Sequence, residues 1–184
     1  MAGKLISRHI WLGLGSNQGD RLHHLNSLVR FVRNHPGIQL VSCSRVYETQ
    51  YVGPGHQDDY LNACVEISSS MDPLTMLEEF QSLERSLGRI SDGHMKPRPL
   101  DVDFLLVDDW ELADPRLVAP HPRMNERLFV LQPLSDLAPR KKIPNSGETV
   151  ASLCAKIKRK DGSAVMLCPD LVLEPPQPGG NMEE

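Results

Sequence analysis

The chain has 184 residues, of which 40% are hydrophobic, 24% are charged and 5% are aromatic. This composition is typical of a globular domain and excludes a disordered or fibrous protein. The formal net charge of -4 disfavours a nucleic-acid-binding protein, which would carry a basic surface. No apolar run approaches the roughly 20 residues that span a bilayer, and residues 1–8 lack the apolar core of a signal peptide. We therefore expect a cytoplasmic protein of one compact domain, without a membrane or nucleic-acid partner.

The cysteines are too scattered for a disulfide framework or a zinc site. Cys43, Cys64, Cys154 and Cys168 include no Cys-x-x-Cys pair, which is the spacing that such metal sites use. We expect them to be ordinary thiols, either buried or on the surface.

The first predicted elements are a strand and a helix. Residues 9–15 (HIWLGLG) have the composition of a strand that runs into a turn at residues 16–19. Asp20 follows as a helix N-cap, apolar residues then repeat at helical spacing, and Pro36 ends the helix. The chain therefore begins as strand and then helix.

Two strands and a second helix come next. Residues 38–49 and 60–68 are rich in valine, isoleucine and tyrosine, and the short loop between them predicts an antiparallel pair. Asp72 is an N-cap that is followed by proline at the first helical position, and Gly88 is a natural stop. This second helix is the most strongly signalled element of the chain.

A further strand and helix complete the pattern. Residues 100–107 predict a strand, the pair at 114–115 (Asp-Pro) turns the chain, and residues 125–137 predict a helix with Pro133 as an unfavourable interior residue. The order strand, helix, strand, strand, helix, strand is the split βαβ, or ferredoxin-like, pattern. We therefore predict an α+β fold in which helices cover one face of an antiparallel sheet.

The composition of the chain changes after residue 140. We assign residues 8–140 to the folded domain and residues 141–184 to a C-terminal extension rich in proline, glycine and charge, with a short helix at 149–158. Residues 174–184 (EPPQPGGNMEE) have the composition of a disordered tail.

Two carboxylates share one face of the predicted strand at 100–107. Asp101 and Asp103 point the same way because side chains alternate along a strand, and a rise of about 3.3 Å per residue places them roughly 7 Å apart. This spacing suits a pair of magnesium ions, which need only one or two carboxylates in addition to phosphate oxygens and water. An isolated Asp-x-Asp is more often a solvated strand face, so the pattern alone decides little.

Cationic side chains surround this strand in the sequence. They are Arg89, Arg98, Arg116, His121, Arg123 and Arg127. Arginine binds phosphate through two parallel hydrogen bonds, although surface arginines also serve solubility alone. In an acidic protein, their concentration around an Asp-x-Asp strand favours a metal–phosphate ligand.

The second predicted helix carries two polar residues on its apolar face. On a helical wheel of 100° per residue, Gln81 and Glu84 fall within the arc of leucine, methionine and phenylalanine. Polar side chains on a buried face need hydrogen-bond partners. They either lie at the edge of the arc and reach solvent or line a site at the end of the sheet.

Six segments together resemble one family, the 6-hydroxymethyl-7,8-dihydropterin pyrophosphokinases of folate biosynthesis. They are residues 12–17 (LGLGSN), 60–63 (YLNA), 83–89 (LERSLGR), 97–103 (PRPLDVD), 120–121 (PH) and 125–129 (NERLF). The segments occur in the family's order over about residues 10–138, and the segment 97–103 alone is highly specific.

The resemblance implies a ferredoxin-like monomer that binds MgATP and then the pterin. It implies transfer of a pyrophosphoryl group to the pterin hydroxymethyl group with release of AMP. Asp101 and Asp103 would hold two magnesium ions, and Arg89 and Arg98 match the family's catalytic arginines. The positions that match ATP contacts are Gln81, Arg98, Arg116, His121 and Arg127.

On the pterin side, the resemblance implies that the rings of Tyr60 and Phe129 flank the substrate. Thr49, Val52 and Asn62 match hydrogen-bonding positions. Asn17 and Glu84 match residues that support this side of the site.

The chain departs from the family in the loop between Arg89 and Pro97. The loop is one residue shorter than in well-known members, and Ser91 and Met95 replace an arginine and a tryptophan. Pro122 stands where an aromatic residue is usual, and Gln50-Tyr51 replaces a pair of prolines. We expect this loop to close over the substrates less firmly than in those members.

Two other interpretations remain open from the sequence. A ferredoxin-like nucleic-acid or regulatory module would share the fold, but its sheet should expose paired aromatic residues and a basic face. A member of the family that has changed its alcohol acceptor would share both the fold and the phosphate site.

Overall fold

The computed structural model describes residues 7–51, 54–90, 96–144, 146–161 and 164–174. Val52, Ser91 and Met95, on which predictions were made, lie outside these ranges, as do residues 175–184 of the predicted tail.

Within these ranges, eight strands form a large and a small antiparallel sheet. They are β1 (Arg8–Ser16), β2 (Ile38–Cys43), β3 (Tyr47–Thr49), β4 (Tyr60–Ser69), β5 (Asp101–Val107), β6 (Leu112–Asp114), β7 (Leu117–Ala119) and β8 (Val165–Leu167). The large sheet has the order β5-β1-β4-β3-β8, and β2 also pairs with β4. The small sheet is the hairpin β6–β7, which the predicted turn at residues 114–115 closes.

The predicted strand 38–49 is interrupted and becomes β2 and β3. Ser44 causes the break, because its hydroxyl oxygen accepts a hydrogen bond from the backbone N of Cys64 at 2.8 Å. In an uninterrupted strand, a backbone carbonyl would accept that hydrogen bond. The register with β4 also shifts between Leu40 and Ser42. After the break, β3 pairs with the first residues of β4, so that Thr49 lies opposite Tyr60.

The described part of the chain also contains four α-helices and one 3-10 helix. They are α1 (Arg21–Asn34), α2 (Pro73–Ser86), the 3-10 helix Met124–Glu126, α3 (Leu128–Leu137) and α4 (Val150–Asp161). The predicted caps are confirmed: the Asp20 carboxylate accepts from the backbone N of His23, and that of Asp72 accepts from Leu74 N and Thr75 N. Among the described residues, no helix is both long and apolar enough to cross a bilayer.

The helices lie on both faces of the large sheet. As predicted, α1 and α2 cover one face, where Leu28 and Phe80 pack against Leu12 and Ile67 of the strands. The prediction did not include the opposite face, on which α3 packs and is in turn packed by α4. This second core includes Trp11, Cys64, Leu105, Leu131 and Leu153.

The C-terminal extension is attached to the domain as far as residue 174. β8 adds a strand to the edge of the large sheet beside β3, and Leu173 is buried in the core under α1. Glu174, predicted to begin a disordered tail, is held on α1: its backbone N donates to Asn26 Oδ1 at 2.9 Å, and its carboxylate pairs with Arg30 at 2.8 Å and Arg33 at 3.1 Å.

Candidate active site

The predicted site residues come together on the sheet face opposite α1 and α2. Three strands run side by side there in the order β5, β1, β4. Gly15 of β1 pairs with Asp101 of β5 on one side and with Asn62 of β4 on the other. Two residues earlier, Gly13 pairs with Asp103. The register therefore aligns the two carboxylates with the amide of Asn62 across a strand that carries no side chain at these positions.

Two arginines hold the first carboxylate. Asp101 Oδ1 receives ion pairs from Arg89 Nη1 at 2.8 Å and Arg98 Nη1 at 3.0 Å. Asp101 is partly exposed, so a ligand that approached this point would meet one carboxylate and two guanidinium groups at once.

The second carboxylate is less well compensated. No ion pair of Asp103 within 4 Å occurs among the residues that the structure describes. Burial raises the pKa of Asp103, and the negative charge of Asp101 raises it further, while Arg127, Arg89 and Arg98 oppose the shift. A pKa shifted in this direction means that the carboxylate would gain from an additional nearby cation.

The donor set is compatible with magnesium and phosphate. No group of three or more His, Cys, Asp and Glu side chains that could hold a metal occurs within the described ranges. Magnesium, however, is commonly held by one or two carboxylates together with phosphate oxygens and water. Asp101 and Asp103 provide those carboxylates, and the arginines provide charge for the phosphates.

A buried carboxylate from α2 supports this cluster. Glu84 is 4% exposed, and its Oε1 accepts a hydrogen bond from the backbone N of Val102 at 2.8 Å and pairs with Arg89. Burial raises the pKa of Glu84 to about 7, although Arg89 acts in the opposite direction. Glu84 therefore links α2 to β5 and fixes the arginine that reaches Asp101.

The turn after β1 fixes the second arginine. Asn17 is 1% exposed, its Oδ1 accepts from the backbone N of Arg98 at 2.8 Å, and its own backbone N donates to the Arg98 carbonyl at 3.2 Å. Its Nδ2 donates to Gln57 Oε1 at 2.9 Å. The main chain at Arg98 is thus held by an amide side chain whose oxygen and nitrogen both bond to neighbouring groups.

The residues predicted for the pterin side lie on β3, β4 and α3. Asn62 Nδ2 donates to Thr49 Oγ1 at 2.8 Å, and both residues are buried. Burial raises the pKa of the Tyr60 hydroxyl. The Arg127 guanidinium lies 5.6 Å from the centre of the Phe129 ring, so a predicted ATP contact touches a predicted pterin contact.

Two of the predicted ATP contacts lie apart from the carboxylates. Gln81 is exposed on α2, so the wheel pattern identified a buried polar residue at Glu84 but not at Gln81. Arg116 lies in the turn of the β6–β7 hairpin and pairs with Asp114 at 3.2 Å and with Glu78 of α2 at 3.5 Å. Glu78 and Gln81 are one helical turn apart, so Arg116 and Gln81 border the same exposed surface.

His121 lies on the carboxylate side of the site. Its backbone N donates to the Leu105 carbonyl at 2.9 Å. Burial lowers the pKa of its ring, and the charge of Arg127 lowers it further. The neutral imidazole is therefore the favoured form at neutral pH. Because its Nδ1 accepts from the backbone N of Arg123 at 3.2 Å, Nε2 carries the proton and can donate a hydrogen bond to a ligand.

Sequence reasoning missed two residues of the site. Gln57, the partner of Asn17, lies in an irregular connection where no periodicity marks it. Gly15 was part of a matching segment but received no role. The presence of glycine inside a predicted strand was a usable signal, because glycine weakens a strand interior and often marks a close approach of a ligand or backbone.

Comparison with known proteins identifies the family of the chain. Residues 11–139 match the model of the family described as 7,8-dihydro-6-hydroxymethylpterin-pyrophosphokinase (HPPK). The chain is similar to the 2-amino-4-hydroxy-6-hydroxymethyldihydropteridine pyrophosphokinase of Bacillus subtilis, with 38% identity over 83% of this chain and 92% of the relative. The Methylorubrum extorquens protein of the same name is 41% identical over 80% of this chain and 92% of its own length.

Solved structures agree at the level of fold. The Plasmodium falciparum HPPK-DHPS A437G crystal structure with SDX-DHP aligns with a TM-score of 0.69 at 15% identity, covering 88% of this chain and 48% of that chain. The fold prediction is confirmed by this likeness.

Proposed function

Because the chain belongs to the 7,8-dihydro-6-hydroxymethylpterin-pyrophosphokinase family, we propose that the cluster around Asp101 and Asp103 is where its reaction takes place. The chain transfers pyrophosphate from ATP to the hydroxymethyl group of 6-hydroxymethyl-7,8-dihydropterin, giving AMP and the pterin pyrophosphate in folate biosynthesis. The observation that carries the assignment of the site is the pair of carboxylates on one strand face, flanked by Arg89 and Arg98.

The two carboxylates are the proposed ligands, and Asp101 and Asp103 would hold two magnesium ions when MgATP binds. Asp103 supports this, because its pKa is raised and the described residues give it no ion-pair partner. When bound, magnesium neutralises charge on the phosphate oxygens and so favours attack at phosphorus.

The arginines orient the phosphates. Arg89 and Arg98 both pair with Asp101 in this structure, and a polyphosphate offers them oxygens with the geometry that guanidinium groups bind in pairs. Glu84 and Asn17 keep both arginines in place while the guanidinium groups exchange Asp101 for phosphate oxygens. Arg127, whose charge acts on Asp103, is a third phosphate contact, and Gln81, Arg116 and His121 bind the remainder of the ATP.

The pterin is recognised by the side of the site that lies on β3 and β4. Asn62 donates through Nδ2 to Thr49, so its Oδ1 is the atom that can accept a hydrogen bond from a ring N–H of the substrate. Tyr60 and Phe129 provide the apolar faces against which a flat ring packs. Val52, which lies outside the described residues, remains a proposed pterin contact.

The reaction is a displacement at the β-phosphorus of ATP. The hydroxymethyl oxygen forms a bond to that phosphorus, the bond to the bridging oxygen of AMP breaks, and the hydroxyl proton is released. This transfer needs an in-line arrangement and charge neutralisation more than covalent chemistry. We further propose that the protein acts as a monomer in the cytoplasm.

The nucleotide product tests the proposal. Purified protein is incubated with MgATP and 6-hydroxymethyl-7,8-dihydropterin, and phosphorus NMR follows the products. We expect AMP and a pterin pyrophosphate ester in equal amounts, with no reaction when 7,8-dihydropterin replaces the substrate. Formation of ADP would contradict attack at the β-phosphorus, and AMP formation without the pterin would indicate simple ATP hydrolysis.

A further inference from the structure

A strand glycine lies between the two halves of the site. Gly15 is in the interior of the large sheet, with Asn62 of β4 on one side and Asp101 of β5 on the other. Glycine in a strand interior destabilises the fold relative to alanine, because its backbone loses more conformational freedom on folding. Its presence at this position therefore calls for a physical reason.

The protein itself does not require glycine at residue 15. Its backbone is not in the left-handed region, which Gly19, Gly55, Gly88 and Gly147 occupy. A Cβ built on Gly15 would lie 3.6 Å from Tyr60 Cδ1, 3.8 Å from Asn62 Oδ1 and 3.8 Å from Asp101 Cβ. These are ordinary van der Waals distances, so alanine would fit the unliganded fold without strain.

Gly13, on the same strand and the same face, provides a contrast. A Cβ at Gly13 would lie 3.2 Å from Leu105 Cδ2, closer than ordinary contact. The space above Gly13 is thus taken by the protein's own side chain. No comparable contact explains Gly15, which indicates that the space above it is kept for something outside the chain.

The position of Gly15 in the sheet identifies that occupant. Asn62 belongs to the pterin side of the proposed site, and Asp101 belongs to the phosphate side. Adjacent strands are about 4.8 Å apart, so these residues are separated by roughly 10 Å with β1 between them. A substrate that binds both sides at once has to cross β1 at Gly15.

We infer that Gly15 is a specificity-determining residue over which the hydroxymethyl arm of the pterin passes on its way to the phosphates. The inference rests on the proposed function, because it takes the pterin and phosphate sides from that proposal. The arm is the part of the acceptor that joins the ring to the reacting oxygen. It lies against the bare main chain of β1, which brings the oxygen down to the level of the carboxylates.

A methyl group at residue 15 would displace the arm rather than the fold. Reaction requires the attacking oxygen to lie about 3–3.5 Å from the phosphorus, and a displacement of about 1 Å can lower the rate by roughly 100-fold. ATP, which binds on the phosphate side, would not meet the added methyl group. The ring alone should be affected less than the complete substrate, because only a substrate with the arm has to cross β1 at residue 15.

The experiment compares Gly15→Ala with the matched control Gly13→Ala. For Gly15→Ala we expect kcat/KM for the hydroxymethyl pterin to fall about 100-fold, with thermal stability equal to or above that of wild type. Affinity for a non-hydrolysable ATP analogue should stay unchanged. The inhibition constant of 7,8-dihydropterin, which has the ring but no arm, should change less than about threefold, a difference small against the kinetic loss. Gly13→Ala should lose thermal stability through its contact with Leu105 and keep kcat/KM.

Three results would overturn the inference. They are wild-type kcat/KM in Gly15→Ala, equal weakening of the pterin with and without its arm, and an equal kinetic loss in Gly13→Ala. A wild-type chain that formed no AMP would instead refute the proposed function before any variant was compared. The two failures are therefore separate observations.

Discussion

Two ends of one sheet face have opposite character, although the same three strands build both. At one end Trp11, Cys64 and Leu105 are buried under α3 and α4. A few residues along the strands, the same face carries Gly15 and Asp101, and charged side chains lie there in place of the helices. Between the two ends, the pairing of β1 with β5 shifts register at Trp11 and Leu12, and both Leu105 and Leu106 belong to the covered end. Stability is therefore concentrated at the covered end and chemistry at the site end.

The site end is destabilising in the absence of ligands. Burial raises the pKa of Glu84 and of Asp103, which shows that their ionised forms are held less favourably in the fold than in water. The covered end has to offset that cost through apolar burial. Variants at the two ends should therefore separate activity from stability.

The largest effect is expected from the carboxylates. Asp101→Ala and Asp103→Ala should each lower kcat by at least about 1000-fold, since several kcal/mol of charge stabilisation at phosphate are lost. The fold should persist, and Asp103→Ala should be no less stable than wild type, because a buried carboxylate with a raised pKa is removed. Steady-state kinetics and thermal unfolding measure both. Near-wild-type turnover at ordinary magnesium would contradict the two-metal proposal.

A core variant at the covered end should show the reverse. Leu131 of α3 is fully buried, so Leu131→Ala should lower the unfolding free energy by about 2–5 kcal/mol. At a temperature where the variant is folded, kcat/KM should remain within about twofold of wild type, because no contact to the site is removed. Denaturant unfolding and kinetics decide, and a large kinetic loss in the folded variant would mean that the two ends are coupled.

The pH dependence of stability should report Glu84. The pKa of this group is raised from 4.5 in the unfolded chain to about 7 in the fold, so the folded protein retains a proton that the unfolded chain has released. The unfolding free energy should fall as pH rises between these values, by on the order of 3 kcal/mol. Glu84→Gln should lose the part of the decline that Glu84 causes, and the smaller part that follows from the raised pKa of Asp103 should remain. Denaturant titrations at pH 5 and pH 8 compare the two proteins, and parallel curves would refute the assignment.

The smallest effect is expected at the hydrogen bond between Asn62 and Thr49. Thr49→Val keeps the shape of the side chain but removes the oxygen that accepts from Asn62 Nδ2. One lost hydrogen bond of about 1 kcal/mol should weaken pterin binding roughly five- to tenfold, while ATP binding is unchanged. Calorimetry with each ligand tests this, and equal weakening of both would place Asn62 outside the pterin side.

Much of the fold could be predicted because its signals are local. The caps at Asp20 and Asp72, the turn at residues 114–115 and the alternation along β5 each depend on neighbours in sequence. The juxtaposition of Asp101 with Arg98 was also accessible, since the two are only three residues apart.

What could not be predicted depends on partners far away in sequence. Ser44 separates β2 from β3 because its hydroxyl bonds to the backbone of Cys64, 20 residues away. No residue near Ser44 in the sequence signals this bond. Helical periodicity shows which side of α3 is apolar but not which face of the sheet it covers. Glu84 is buried because β5 supplies the N–H of Val102, whereas Gln81 on the same predicted arc is exposed. The wheel could not distinguish the two.

The attachment of Glu174 to α1 has a practical consequence for how the molecule can be handled. Arg30 and Arg33 hold this residue on the face of the sheet that is turned away from Asp101. An affinity tag, a surface linker or a second enzyme joined beyond this point would start behind the sheet. Attachment at residue 174 itself would leave the face that carries Asp101 turned toward the solution.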